Sequence, residues 1–405
     1  MTAQEATSAP AENGRMAPDK RPSLLLLTGL AAIGPFAMNI MVPATPALAR
    51  IFDTSYGVMQ LTLTAYLGAM AVMQLVLGPL SDRLGRRPVI LIGLLMFLAG
   101  SLICGLATSV EVLIGGRVLQ SAGGCAGLVI GRAIIRDLFG LEQAASSIGY
   151  VTMAMVVAPM LAPLAGGYLF DHLGWQSMFW VSIGLGLLVL LASTQHLHET
   201  RRPEALAEAG GLSWGAVLGL MSDRRFCGYV LVLACASGIF FTFLGGAPYV
   251  VTEILNRPVQ EYGLYFFLSA LGYMLGNFLS GRYAVRLGPQ RMIAIGCGFA
   301  VAGLVLLWAL DGVPHMLAVF APMSLLAISN GLTLPSAMAS AVSIRPELAG
   351  TASGLSGSAQ IGLGAILAFL VGVWQEGNPT ALPMIIVMTL SGVASFVGFA
   401  MTRRG

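Results

Sequence analysis

Charge is scarce in this 405-residue chain: 10% of its residues are Asp, Glu, Lys or Arg, 57% are hydrophobic, and the mean hydropathy is +0.83. That balance excludes a water-soluble globule and places the chain in a bilayer. Histidine is rare too, with four in all. His196 and His198 stand two apart, but no third ligand stands near them, so the pair reads as part of a solvated loop rather than as a metal site. The five cysteines, Cys104, Cys125, Cys227, Cys235 and Cys297, fall in apolar stretches at no ligand-like spacing. They read as packing residues, which argues against a disulfide framework and a metal centre alike. No Gly-Lys-Ser or Gly-Lys-Thr phosphate loop and no nucleophile–base set occurs, so neither ATP hydrolysis nor covalent catalysis is expected and no cofactor is implied. A net charge of +3 gives no reason to expect nucleic acid as a partner.

What the chain has instead is long apolar runs. Only an internally hydrogen-bonded helix satisfies its backbone in hydrocarbon, and crossing takes roughly 20 residues. About twelve stretches meet that length rule, near 24–48, 60–80, 88–108, 112–135, 145–169, 175–195, 226–251, 261–284, 291–310, 315–341, 349–374 and 380–401. The expected fold is all-α and polytopic, with twelve transmembrane helices in two pseudo-symmetric six-helix bundles. Its divisions are a disordered cytosolic tail (1–23), a first bundle (24–196), a cytosolic linker with a short surface helix near Ser213 to Met221 (197–224), a second bundle (225–401) and a cytosolic tail (402–405). The first apolar run reads as a span rather than a removable leader, because it continues for a full spanning length.

The cations set the orientation. Of the 21 Lys and Arg, only Arg50 and Arg257 fall in loops on one side, while Arg117 lies inside a span and the rest gather on the other side. Positive loops stay in the cytoplasm, so both termini are expected there.

One compact charged turn stands out, Gly78-Pro79-Leu80-Ser81-Asp82-Arg83-Leu84-Gly85-Arg86-Arg87-Pro88, and a weaker copy runs from Gly281 to Arg291 with Val285 in place of the aspartate. Repetition half a chain apart is what an internally duplicated transporter shows. Gly78 and Gly85 allow tight backbone geometry, and Arg83, Arg86 and Arg87 anchor the turn on the cytoplasmic side. Asp82 has two readings: it pairs with one of those cations, or it accepts from a helix N-terminus. Arg117 also has two. A cation at mid-helix costs about 2.5–3.5 kcal/mol on insertion scales, so it faces either a cavity or the backbone of a broken helix. Gln120 shares its face. In the fifth span, Pro159 and Pro163 bend the helix, and Gly166 and Gly167 permit close contact with a neighbour.

Together the charged turn, Gly116-Arg117-Val118-Leu119-Gln120 with Gly123-Gly124, Arg132 to Asp137, and Ala158-Pro159 to Gly166-Gly167 resemble the major facilitator superfamily, and within it the Bcr/CflA drug-resistance exporters. The resemblance implies a monomeric, proton-linked exporter of small compounds in a bacterial inner membrane, with a latch at Gly78, Asp82, Arg83, Gly85, Arg86 and Arg87 and with Arg117 and Gln120 lining the central cavity. Further cavity candidates are Asn39, Tyr66, Phe240, Phe243, Tyr273, Asn330 and Gln360, polar or aromatic residues within spans suited to flat apolar ligands. Where this family commonly has an aspartate, Asn39 stands, and an amide has no proton to give or take. All 18 acids lie in tails, loops or span ends, so a proton is expected to use a rim acid such as Glu253, Glu111 or Asp137. A second reading keeps the fold as an importer or uncoupled facilitator of a specific metabolite.

Overall fold

The computed structural model describes residues 22–138, 158–200 and 214–403. Its helices are α1 (Leu24–Ile40), α2 (Thr45–Ile51), α3 (Tyr56–Leu84), α4 (Arg86–Gly105), α5 (Val110–Leu138), α6 (158–173), α7 (Gln176–His196), α8 (Trp214–Met221), α9 (Arg224–Tyr249), α10 (Val259–Leu287), α11 (Pro289–Ala309), α12 (Met316–Ser343), α13 (Ala349–Gln375) and α14 (Leu382–Arg403). Among the described residues, 11 helical stretches are long and apolar enough to cross a membrane. They correspond to every expected span but the fifth, whose first half lies outside the described residues and whose remainder is α6. The tail as far as residue 21, linker residues 201–213, the last two residues and the side chain of Asp137 also lie outside them.

Several helices outrun the apolar stretches that announce them. At 1.5 Å per residue, 29 residues rise about 43 Å, well beyond roughly 30 Å of hydrocarbon. Their ends therefore stand in the interfacial layers, where charged and capping residues are cheap to hydrate. Large apolar side chains face outward along the bundles, as Leu188 on α7 at 65% and Leu390 on α14 at 64% exposure show, which suits a lipid surroundings.

Internal duplication is visible in the packing. In the first half α1 packs on α5 and α7, α3 on α5, and α4 on α5 and α7. In the second half α9 packs on α12 and α14, α10 on α12, and α11 on α12 and α14. Each of these contacts in one half has its counterpart in the other when α1, α3, α4, α5 and α7 are matched to α9, α10, α11, α12 and α14, which by chain order pairs α6 with α13. The charged turn repeats as well. Gly85 ends α3 at φ 95°, ψ 156°, and Gly288 ends α10 at φ 78°, ψ 157°, a left-handed conformation that favours glycine. The copied turn has lost its aspartate but kept its backbone.

The first span is broken. Pro43 and Pro46 follow Met41, and α1 gives way to a 3₁₀ turn, Val42–Ala44, before α2 resumes. A break at that depth leaves carbonyls without helix partners, and these have to be satisfied inside the protein.

Candidate transport pathway and its two ends

Arg117 answers that break. Its guanidinium is fully buried, and Nη1 donates to the Ala37 carbonyl at 2.8 Å while Nη2 donates to that of Met38 at 3.3 Å, both in the last turn of α1. Nη1 also donates to Gln120 Oε1 at 2.6 Å, and the group lies 4.2 Å from the centre of the Tyr66 ring. Gln120 Nε2 donates onward to Ser101 Oγ at 2.8 Å on α4, and the Tyr66 hydroxyl donates to the Gly34 carbonyl at 2.9 Å. Four helices, α1, α3, α4 and α5, thus meet at one cation that sits where the dipole at the end of α1 is negative. Of the two readings of Arg117, the geometry is that of the broken-helix partner.

This placement corrects the expectation that Arg117, Gln120, Tyr66 and Asn39 line an open cavity. All four are at 0% exposure within the first bundle. The physical reason is that a buried guanidinium needs several acceptors at once, and the frayed end of α1 supplies them only in the bundle interior. Asn39 donates from Nδ2 to the Pro35 carbonyl at 2.8 Å, and its Oδ1, like Arg117 Nε, finds no hydrogen-bond partner among the described residues.

The second-half candidates divide. Phe243 is 1% exposed and Asn330 4%, so both are packed inside that half. Phe243 belongs to an aromatic cluster with Tyr262, Phe266 and Phe320, its ring centroids 5.5–6.5 Å from theirs. Phe240, Tyr273 and Gln360 are half-buried, and each sits near the middle of its helix, on α9, α10 and α13. They are the three candidates left half-exposed near mid-depth.

At the charged-turn end, Asp82 Oδ1 pairs with Arg86 Nη1 at 2.7 Å, and Arg86, nearly buried, also donates to Ser81 Oγ at 2.6 Å. Sequence reasoning missed the residue that organises the rest. Glu199, just after α7, accepts the backbone N–H of Arg86 at 2.9 Å and of Arg87 at 3.1 Å, so it caps α4. Arg87 Nη2 reaches the Thr194 carbonyl at 3.1 Å. Arg83 is exposed and Gly78 lies within α3. In this conformation these bonds tie the turn to its own half. The signal for Glu199 was an acid beside a basic loop at the end of a span.

At the far end the halves meet in a seam. Gly166 and Gly167 divide their labour: a Cβ on Gly166 would strike the Ile40 carbonyl of its own half, and one on Gly167 would lie 2.8 Å from Gln260 Cα of the other. A Cβ on Gly263 would sit 2.5 Å from the Pro163 carbonyl oxygen. On the opposite flank α3 runs along α13 from the far end, where Gln60 lies against Gly372, to mid-depth, where the Ser358 hydroxyl donates to the Ala71 carbonyl at 2.9 Å. Between the flanks the Tyr56 hydroxyl donates to the Gly245 carbonyl at 2.6 Å, and Arg50 pairs with Glu253 at 3.1 Å. The Glu253 carboxylate is thus already engaged across the seam. Glu111 is exposed in the first turn of α5 at the same end. Among the described residues no Asp or Glu is buried.

Two duplicated bundles of spanning helices that meet along a seam have the build of a transporter rather than an enzyme. Residues 26–369 match the family model described as Major Facilitator Superfamily, and the chain belongs to that family. It is 31% identical over 385 residues to an uncharacterized MFS-type transporter, YdgK, of Bacillus subtilis, covering 94% of this chain and 95% of that one. It is 30% identical to Multidrug resistance protein D of Escherichia coli, covering 91% and 93% of the two chains. It is 29% identical to a bicyclomycin resistance protein homolog of Haemophilus influenzae, covering 93% and 94%. Among solved structures, a bacterial homolog of the human lysosomal transporter Spinster superposes with a TM-score of 0.73 at 17% identity over 94% of this chain and 96% of that one.

Proposed function

We propose that this protein exports small apolar or amphipathic compounds, drugs among them, by alternating access and in exchange for protons. The charged-turn end faces the cytoplasm of a bacterial cell, both termini lie there, and the monomer is the working unit in the inner membrane. The observation that carries this reading is the seam. It closes the far end with backbone against backbone between α6 and α10 and side chain against backbone between α3 and α13, while Phe240, Tyr273 and Gln360 are half-exposed near mid-depth, where aromatic faces and an amide suit flat, weakly polar ligands. Relatives named for bicyclomycin and multidrug resistance support drugs as the substrate class.

A proton carrier has to meet one side of the membrane in one state and the other side in the next. Glu253 and Glu111 stand at the far rim, so by position neither is the coupling group, which revises the reading of them as proton sites. Steady-state drug accumulation in proteoliposomes tests both points. One proton driven by the equivalent of 100 mV supports a concentration ratio of up to about fortyfold. An imposed pH gradient is expected to raise the ratio well above unity, and Glu253→Gln and Glu111→Gln are expected to keep it there, since a gate alters rate and coupling sets the ratio. A ratio of one with the gradient on would rule out proton exchange; its collapse in Glu253→Gln would return that acid to the coupling path.

A further inference from the structure

α3 and α10 are equivalent helices of the two halves, each 29 residues long, and both start at the seam. Neither start is satisfied by its own half alone. α10 is preceded by Pro258, which has no side-chain acceptor to offer, and α3 by Ser55, whose hydroxyl takes the Val58 N–H at 3.1 Å. In each helix the N–H of the second residue is taken by a carboxylate from the opposite half. Gly57 donates to Glu376 Oε2 at 3.0 Å, and Gln260 donates to Asp171 Oδ2 at 3.1 Å. Glu376 follows α13 directly and Asp171 lies in the last turn of α6, which are again equivalent helices. The two contacts are one contact, repeated by the pseudo-twofold.

We propose that Asp171 and Glu376 form a symmetric latch on the far side, as positioning residues that hold the seam shut by capping each other half's helix and that let go when the far end opens. Each carboxylate meets the positive end of a helix dipole, and each is exposed, so water replaces the lost bond as the halves part. That keeps each contribution small, about two- to fivefold in the ratio of shut to open. The contacts share no partner, so the pair together contributes about four- to twenty-five-fold. A gate that cycles needs bonds of this size rather than a permanent clasp. Arg50 and Glu253 add an ion pair between the same rims, largely open to solvent and correspondingly weak.

This inference rests on the alternating-access reading, but its test reads conformation and needs no substrate, so the two fail separately. Nitroxide labels on cysteines replacing Leu106 and Val313, exposed at the far ends of α4 and α11 away from the seam, report the separation of the halves in nanodiscs. Cys227, the native cysteine that is not buried, is replaced by Ser. In the full chain, Asp171→Ala with Glu376→Ala is expected to raise the longer-distance population relative to the shorter by about four- to twenty-five-fold. Each single change gives part of this, and Asp171→Asn with Glu376→Gln gives less, because an amide still accepts but brings no charge. Raising the ionic strength to about 1 M should move the parent toward the double variant and move the variant less, since only the weak Arg50–Glu253 pair is left in it to screen. An unchanged distance distribution in the double alanine variant, or one whose shift ignores salt in the parent, overturns the latch.

Discussion

Replacing Arg117 by alanine is expected to destabilise the protein by about 3–5 kcal/mol, a large part of the whole stability of an ordinary domain. The loss is not that of one bond. The Ala37 and Met38 carbonyls at the broken end of α1 and the Gln120 side-chain oxygen would each keep its place in the interior and lose its donor. An orphaned buried acceptor costs about 1–3 kcal/mol. Arg117→Lys is expected to recover only part, since one ammonium cannot fork to three acceptors on two helices as a planar guanidinium does. Thermal unfolding of the purified protein in detergent, followed by size exclusion, measures the order expected: wild type, then lysine, then alanine. An alanine variant that unfolds with the wild type would show that the network does not hold the first bundle together.

The second large effect falls on transport with the fold left intact. In Gly263→Leu the new side chain starts 2.5 Å from the Pro163 carbonyl oxygen and equally close to Leu164 Cα, backbone atoms that yield only if α6 and α10 separate. Overpacking of this kind costs about 1–3 kcal/mol, and here it is charged to the shut seam alone. The balance between states then moves by about five- to 150-fold toward the open far end. Drug export is expected to fall by a comparable factor, while expression and unfolding temperature stay near wild type because each bundle still packs on itself. Gly281→Leu is the control, since nothing lies within 4 Å of a Cβ there. Export unimpaired in Gly263→Leu would mean that the seam does not close during the cycle.

How much of this was legible beforehand follows from what a bilayer imposes. Spans were legible because hydrocarbon demands length and apolarity from every helix that crosses it, and the repeated charged turn gave the duplication. Arg117 was legible as an oddity, a lone cation in an apolar helix, but its partners were not. They are carbonyls of α1, and a carbonyl leaves no mark on sequence except through the prolines Pro43 and Pro46, just ahead of which α1 ends. The same holds for the seam. Asp171 and Glu376 read as ordinary loop acids because what they bind is the backbone of Gly57 and Gln260. Aromatic type alone also misled: Phe240 and Phe243 stand three apart on α9, yet one is half-accessible and the other is sealed in a cluster with Tyr262, Phe266 and Phe320.

The seam itself offers the most direct test of the whole account. A Cβ on residue 57 lies 3.5 Å from Val373 Cα, within the reach of a disulfide, so cysteines replacing Gly57 and Val373 join α3 to α13 across the halves. Drug export by this double variant, measured in proteoliposomes before and after oxidation and again after reduction, should vanish when the bond forms and return when it is broken. Export that continues at the reduced rate in fully cross-linked protein would show that the far end need not open, and that the protein does not work by parting its halves.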